Sequence, residues 1–156
     1  MAIRLSAKAG HAVPVEGIKG PSSLVLLPNF NPVWSYSVDY MHCALLGVAR
    51  HFTDLMFSSS NERFYIGRPA TVEKIDKRLL SISPPHCFTR LPRSVTDRAN
   101  WKASEMRNWV VFYLLPCTAD LLPLRYWKHM SHFSEALYIL LSAELREIMI
   151  STAGRL

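Results

Sequence analysis

The fold class follows from residues 39–57 of this chain, which read DYMHCALLGVARHFTDLMF. Apolar side chains recur there with the period of an amphipathic helix, at Met41, Leu45, Val48, Phe52 and Leu55. The polar run at residues 58–61, SSSN, then ends the pattern. The stretch therefore predicts a first helix over Asp39–Phe57.

Three further helical patterns follow it. A second helix is predicted near Thr71–Ser81, and Pro84-Pro85 stops it. The longest pattern runs from Trp101 to Leu122, with Pro116 inside it as an expected kink or break. Pro123 starts another helical stretch, and Phe133–Ile150 carries the last apolar stripe. Residues 84–100 are expected to form an extended, basic connection.

The first 37 residues differ from the rest, because glycines and prolines interrupt them and leave little helical signal. Their short apolar run, LVLL at 24–27, is compatible with one buried strand, which needs a partner strand that we expect outside this sequence. We therefore predict an irregular or strand-bearing segment over 1–37 and a helical region, one partial domain, over 38–156. The fold class is mainly α, with four to five helices and one or two short strands.

The amino-acid composition limits the classes of protein to which this chain can belong. The 156 residues include 49% hydrophobic ones, which is enough for a core, and a net charge of +6 favours an anionic partner such as nucleic acid. The cysteines, Cys43, Cys87 and Cys117, are far apart and form no C-x-x-C pair, so neither a zinc ribbon nor a secreted disulfide framework is indicated. No signal peptide or stretch of about 20 apolar residues occurs. We expect an intracellular protein that does not bind membranes or a small-molecule substrate.

Asp39 and His42 form the first candidate site. Asp39 stands where a helix begins, so it can cap free backbone N–H groups. The two residues are also three apart and share a helix face, so the carboxylate and the imidazole can orient each other or bind a metal. The spacing alone leaves both interpretations open.

The second candidate is Glu105, which stands among Lys102 and Arg107 near the start of the long helix. It can be an exposed carboxylate balanced by neighbouring cations, or a metal ligand ringed by cations that hold phosphates. The cations that suit contacts to a nucleic-acid backbone lie in the same region: Arg90, Arg93, Arg98, Lys102 and Arg107. A solvated basic loop is the alternative for them.

Six blocks of sequence come in a familiar order: Gly17–Ser22, Val38–Cys43, Leu46–Val48, Phe64–Gly67, Pro92–Ser94 and Trp101–Glu105. On these blocks, over roughly residues 12–142, the chain resembles the transposase-like proteins of CACTA-type and related cut-and-paste DNA transposons. The resemblance implies an RNase H-like catalytic core with inserted helices, which cleaves and transfers DNA strands in the nucleus with two divalent cations, Mg²⁺ or Mn²⁺.

Within that resemblance, Asp39 and His42 match the family's Asp-x-x-His signature, and Glu105 is the candidate for the late acidic residue. Asp39 and Glu105 would then be metal ligands. The strands carrying the first catalytic aspartate, and a Cys-rich element, belong upstream of this sequence in the family. We therefore expect a C-terminal portion of an RNase H-like domain that is inactive alone.

Other interpretations remain beside this one. The chain can be a non-catalytic helical module that binds DNA or protein, or an unrelated helical interaction domain in which Asp39 and Glu105 are cap and surface residues. The dipeptides His42-Cys43 and His86-Cys87 suggest a zinc site, but adjacent residues point in different directions, which disfavours it. Cys117 beside Pro116 is expected to be a small buried apolar residue.

Overall fold

The chain divides into two units, Met1–Val38 and Asp39–Leu156. The computed structural model describes residues 23–31, 35, 39–142 and 151–155. Within these residues the regular structure consists of α-, π- and 3-10 helices, so the prediction of a mainly α protein is confirmed. None of the described helices is long and apolar enough to cross a lipid bilayer.

In the first unit, the strand predicted at 24–27 is wrong, because Ser23–Leu26 form a 3-10 helix. Leu26 is 82% exposed, and Asn29 follows in the left-handed region with φ of 65°. The backbone N–H of Phe30 donates to the carbonyl of Leu27 at 3.2 Å. A helical turn satisfies backbone groups locally, whereas a lone strand leaves them without partners. The part of the chain that the structure describes contains no strand.

Helix α1 confirms the first predicted helix. It is π-helical over Met41–Ala49 and continues as an α-helix over Arg50–Ser58. Gly47 lies in the π-helical part, where a Cβ atom would stand 3.0 Å from the carbonyl oxygen of His42. The glycine therefore lets the backbone approach closely within this wider turn.

Helix α2, Pro69–Leu80, confirms the second prediction and begins with a proline whose missing N–H would be unpaired anyway. The turn before it is fixed by Gly67, because a Cβ there would lie 2.0 Å from the carbonyl oxygen of Phe57. The N–H of Ile66 donates to the carbonyl of Met56 at 2.8 Å and ties this turn to the end of α1.

The connection predicted to be extended over 84–100 is so only in part. Residues 84–94 have no regular helix or strand, but Val95–Asn100 form a 3-10 helix. The Oγ of Ser94 accepts the N–H of Thr96 and caps this helix. Asp76 of α2 accepts hydrogen bonds from the Ser94 hydroxyl at 2.5 Å and from the N–H of Val95 at 2.7 Å. The extended backbone predicted for 95–100 is wrong, because the Ser94 cap and the distant carboxylate of Asp76 stabilise a 3-10 helix. The apolar pattern of the sequence gives no sign of this helix.

Helix α3 corresponds to the long predicted helix. It is α-helical over Ala103–Asn108, π-helical over Trp109–Tyr113 and α-helical again over Leu114–Thr118. Pro116 was expected to kink or divide it. The helix continues through Pro116, and the wider π turn lies just before this residue, whose ring crowds the preceding turn.

Helix α4, Leu124–Leu140, joins the two last predicted helices into one. The end of the predicted Phe133–Ile150 helix, residues 143–150, lies outside the described residues. Buried apolar side chains from all four helices form the core of the second unit, among them Leu45, Met56, Ile75, Leu79, Trp109, Leu114, Met130 and Leu137.

Polar contacts fix α1 against α3 and thereby place their first turns. Arg50 donates to the carbonyls of Ala99 at 2.9 Å and Trp101 at 2.6 Å, just before α3 begins. In the core, the indole N–H of Trp109 donates to the hydroxyl of Thr53 at 3.2 Å. Buried polar groups must find such partners, so these bonds set the register between the two helices.

Candidate functional site

Asp39 and His42 are paired at the start of α1. Oδ2 of Asp39 lies 2.5 Å from Nδ1 of His42, and its Oδ1 accepts the N–H of Met41 at 2.8 Å. The hydrogen bond from His42, followed by that from Met41, lowers the pKa of Asp39 below its ordinary value. The carboxylate thus caps the helix and also orients the imidazole. A helix cap and an oriented imidazole, the two interpretations of the spacing, are therefore compatible.

This pair has the chemistry of a carboxylate-oriented imidazole. Both side chains are exposed. Because Nδ1 of His42 is bonded to Asp39, Nε2 is the ring nitrogen that can contact a ligand. Such an imidazole can accept or donate a proton, or hydrogen-bond a phosphate.

Glu105, by contrast, is fully engaged inside the protein. It is only 8% exposed, and its Oε2 accepts the N–H of Lys102 at 2.8 Å. Its Oε1 accepts the Nε–H of Arg93 at 2.7 Å. Burial acts to raise the pKa of Glu105, but the Lys102 N–H and the Arg93 guanidinium outweigh it, so the pKa is lowered. The interpretation as an exposed, weakly balanced carboxylate is wrong, because Glu105 is buried and Arg93 supplies an internal cation.

Two of the five candidate DNA-contacting cations are bound within the fold. Besides Glu105, Arg93 contacts Asp97 at 3.0 Å and the carbonyl of Asn100 at 3.1 Å. Arg98 donates to Asp54 at 2.9 Å, and its guanidinium lies 5.0 Å from the centre of the Phe57 ring. These two arginines attach the loop to the helices.

The other three cations face solvent. Arg90, Lys102 and Arg107 are exposed and form no ion pair with any residue that the structure describes. They are the members of the predicted set that remain available to an anionic ligand. Sequence alone could not separate them from Arg93 and Arg98, because the carboxylate partners Glu105 and Asp54 are brought near only by folding.

A groove, which we call the α1–α3 groove, lies between the first turns of α1 and α3. Its cavity of about 240 Å³ is lined by side chains from α1, from the loop before α3 and from α3 itself: Tyr40, Met41, Leu45, Cys87, Phe88, Thr89, Ala103, Ser104, Arg107 and Asn108. Tyr40 and Met41 of the block at 38–43 therefore meet Ala103 and Ser104 of the block at 101–105, some sixty positions further along the sequence, at one surface.

Asn108 is a groove residue that the sequence interpretation missed. It is 3% exposed, and its Oδ1 has no hydrogen-bond partner among the described residues. A signal for it exists, because Asn108 follows Ser104, another groove residue, by four positions and so lies on the same face of α3.

The predicted metal ligands, Asp39 and Glu105, are both engaged by other groups of the chain. Glu105 lines a cavity beside Arg90, Arg93, Trp101 and Asn108. Among the described residues, no three His, Cys, Asp or Glu side chains are grouped as metal ligands. Both oxygens of Glu105 are taken by the backbone and by Arg93, and Asp39 holds His42. These residues do not fit the pair of Mg²⁺ or Mn²⁺ ions that the resemblance implies.

The cysteines show no chemistry of their own. Cys43 and Cys87 are exposed, and the two His-Cys dipeptides do not assemble into a ligand group within the described part of the chain. Cys117 is buried, as predicted, and burial raises the pKa of its thiol to about 11. A thiol with this pKa stays protonated and is a packing residue.

Comparison of the chain with protein-family models, with curated proteins and with solved structures finds no match in any of the three.

Proposed function

We propose that the chain is a transposase-related DNA-binding module, the helical portion of a domain that cleaves and transfers DNA strands in its full-length form, and that by itself it binds DNA in the nucleus without cutting it. The observation that carries this proposal is the α1–α3 groove, where Tyr40 and Met41 of one block lie opposite Ala103 and Ser104 of the other. The resemblance rests on both blocks, and a shared function requires them to be close in space.

Electrostatics support DNA as the ligand. The chain carries a net charge of +6, and Arg90, Lys102 and Arg107 are exposed at or beside the start of α3. Exposed cations can replace the counterions of DNA phosphates, which is the main source of sequence-independent affinity. The exposed His42 adds an imidazole at the same end of α1.

The state of Glu105 supports binding without cleavage. A two-cation mechanism needs several carboxylates that converge on ions about 4 Å apart. Glu105 is neutralised by Arg93, and the described residues supply no third ligand to Asp39 and His42. We therefore assign Glu105 the role of attaching the 90–100 loop to α3 in this chain.

Fluorescence anisotropy of a labelled DNA duplex over a range of salt concentrations tests the binding. The variant Arg90→Gln/Lys102→Gln/Arg107→Gln should lower the slope of log affinity against log salt by about 2 to 3, if each cation contacts one phosphate. The matched control is Lys74→Gln/Lys77→Gln/Lys128→Gln, which removes the same charge from exposed positions elsewhere. Equal losses in both triple variants, or no duplex binding by the parent chain, would overturn the proposal.

A plasmid-nicking assay tests the proposal that the chain does not cut DNA by itself. With Mg²⁺ or Mn²⁺ present, the purified chain should leave supercoiled DNA intact. Nicking that is lost in Asp39→Asn and in Glu105→Gln would show that the chain cuts DNA alone and would contradict the role given to Glu105.

A second candidate function, binding of a protein partner, is favoured by an apolar cavity of about 220 Å³ between α1 and α4. Its lining consists of Phe52, Leu55, Met56, Phe64, Tyr126, His129 and Met130. Sedimentation over a range of concentrations distinguishes the two functions. Self-association that Leu55→Glu abolishes, without any DNA binding, would favour the protein-binding module.

A further inference from the structure

The lining of the α1–α3 groove combines aromatic and polar groups. Its aromatic members are Tyr40 of α1, which is 46% exposed, and the half-buried Phe88, whose ring packs on Phe112 of α3. Ser104 and the exposed Arg107 of α3 add a hydroxyl group and a positive charge. A ligand that suits this lining must combine a flat apolar face with an anionic group.

Asn108 adds a hydrogen-bonding side chain to the lining of the groove. It is 3% exposed and lines both this groove and the cavity beside Glu105, and its buried Oδ1 has no partner among the described residues. An unpaired buried carbonyl oxygen is unfavourable, so rotation of this amide towards a ligand in the groove gains a hydrogen bond. Asparagine amides pair with the donor and acceptor edges of nucleobases.

The position of Asn108 decides which form of nucleic acid can reach it. A base in a duplex is stacked on both faces and paired along its edge, and a side chain with 3% exposure cannot project into a DNA groove. An unpaired base can leave the stack, enter a pocket, and lie against aromatic rings with its edge towards an amide.

We propose that the α1–α3 groove binds one unpaired nucleotide of a DNA strand, with the base against Tyr40 and Phe88, its edge hydrogen-bonded to Asn108, and its phosphate on Arg107. This inference rests on the proposed function, and it specifies the form of DNA that the site accepts. Ser104 and Thr89, which also line the groove, provide hydroxyl groups for the sugar and phosphate oxygens.

The test compares the affinity of the whole chain for a short oligothymidylate with its affinity for a duplex of the same length, at one salt concentration. The parent chain should favour the single strand. Tyr40→Ala should reduce the ratio of single-strand to duplex affinity about tenfold, the effect of one lost base–aromatic stacking contact. Tyr40→Phe, which keeps the ring, should retain the ratio.

Tyr138→Ala is the matched control, because Tyr138 is also an exposed tyrosine, at 58%, and lies outside the groove on α4. It should leave the ratio unchanged. A ratio that Tyr40→Ala does not alter, or that Tyr138→Ala alters equally, would overturn the nucleotide site. Circular dichroism of each variant confirms that the helices are retained.

Competition by thymidine monophosphate distinguishes a site for a nucleotide within a strand from a site for a free nucleotide. If the site recognises a nucleotide within a strand, the monophosphate should compete weakly with the oligothymidylate. Full competition at equal concentration would mean that the groove takes free nucleotides and would overturn the proposal. If the proposed function is wrong, the parent chain will show no salt-dependent duplex binding. If only the nucleotide site is wrong, duplex binding will be intact.

Discussion

At the scale of single residues, Glu105 links three parts of the structure. Its carboxylate caps the first turn of α3 through the N–H of Lys102 and also holds Arg93 of the preceding loop. Arg93 in turn contacts Asp97 and the carbonyl of Asn100. One buried carboxylate therefore organises the approach of the chain to α3.

Removing that carboxylate should destabilise the protein. Glu105→Ala leaves the N–H of Lys102 without its acceptor and Arg93 without its buried partner, so we expect a loss of about 1–3 kcal/mol in the free energy of unfolding. Urea denaturation followed by circular dichroism measures it. Glu135→Ala, at an exposed position on α4, is the control and should change stability little. A loss no larger than that of the control would contradict the role assigned to Glu105.

The same residue predicts a pH dependence. Its pKa in the folded state lies below the ordinary value of 4.5, so its contribution to stability is present in full above about pH 4.5. This contribution is lost as the pH falls through the lowered pKa, because the unfolded chain then binds the proton more tightly. The difference in urea midpoint between the parent and Glu105→Gln should therefore shrink below pH 4.5. A difference that is constant down to the acid transition would contradict this account.

At the scale of secondary-structure elements, the joint between α1 and α2 is controlled by backbone proximity. Gly67 stands so close to Phe57 that a Cβ would meet its carbonyl oxygen at 2.0 Å, and the ring of Tyr65 at 2.6 Å. A backbone atom cannot move aside as a flexible side chain does. The turn therefore has room for glycine alone in its present geometry.

Gly67→Ala should accordingly destabilise the protein by about 1–3 kcal/mol, the usual cost of forcing extra atoms into a tightly packed site. Thermal unfolding followed by circular dichroism should show a lowered midpoint. Ser60→Ala is a suitable control, since Ser60 lies at an exposed position in the same connection. Equal midpoints for Gly67→Ala and the parent would mean that the turn rearranges freely.

At the scale of the second unit as a whole, side-chain contacts fasten the 93–98 segment to three helices. Arg93 reaches Glu105 of α3, Arg98 reaches Asp54 of α1, and Asp76 of α2 holds Ser94 and Val95. Val95 of this segment packs in the core, and the polar contacts fix the residues on either side of it.

Limited proteolysis tests this attachment. Trypsin should cleave after the exposed Arg90 faster than after Arg93 or Arg98, whose guanidinium groups are bound to carboxylates. In Glu105→Ala, cleavage after Arg93 should accelerate. Mass spectrometry of the first fragments measures the order of cleavage, and equal initial rates at the three arginines in the parent chain would contradict the model of a fastened segment.

The helical fold class and the approximate places of the helices could be predicted from the amino-acid sequence, because the apolar period of 39–57 and of its later counterparts is a local property of the chain. The sequence also located Asp39 and His42 on one face of α1, since three-residue spacing fixes that relation wherever a helix forms. The strand predicted at 24–27 was wrong, because a 3-10 turn pairs backbone groups locally there. The extended backbone predicted at 95–100 was wrong, because the Ser94 cap and the carboxylate of Asp76 stabilise a 3-10 helix.

Which charged groups remain available to a ligand depends on how the chain folds. Glu105 and Arg93 neutralise each other, Arg98 is bound to Asp54, and Arg90, Lys102 and Arg107 stay exposed. The meeting of Tyr40 with Ser104 and Asn108 in one groove has the same origin. Ion pairs, burial and cavities depend on distances between residues far apart in the chain, whereas helical periodicity depends on residues that are close in sequence.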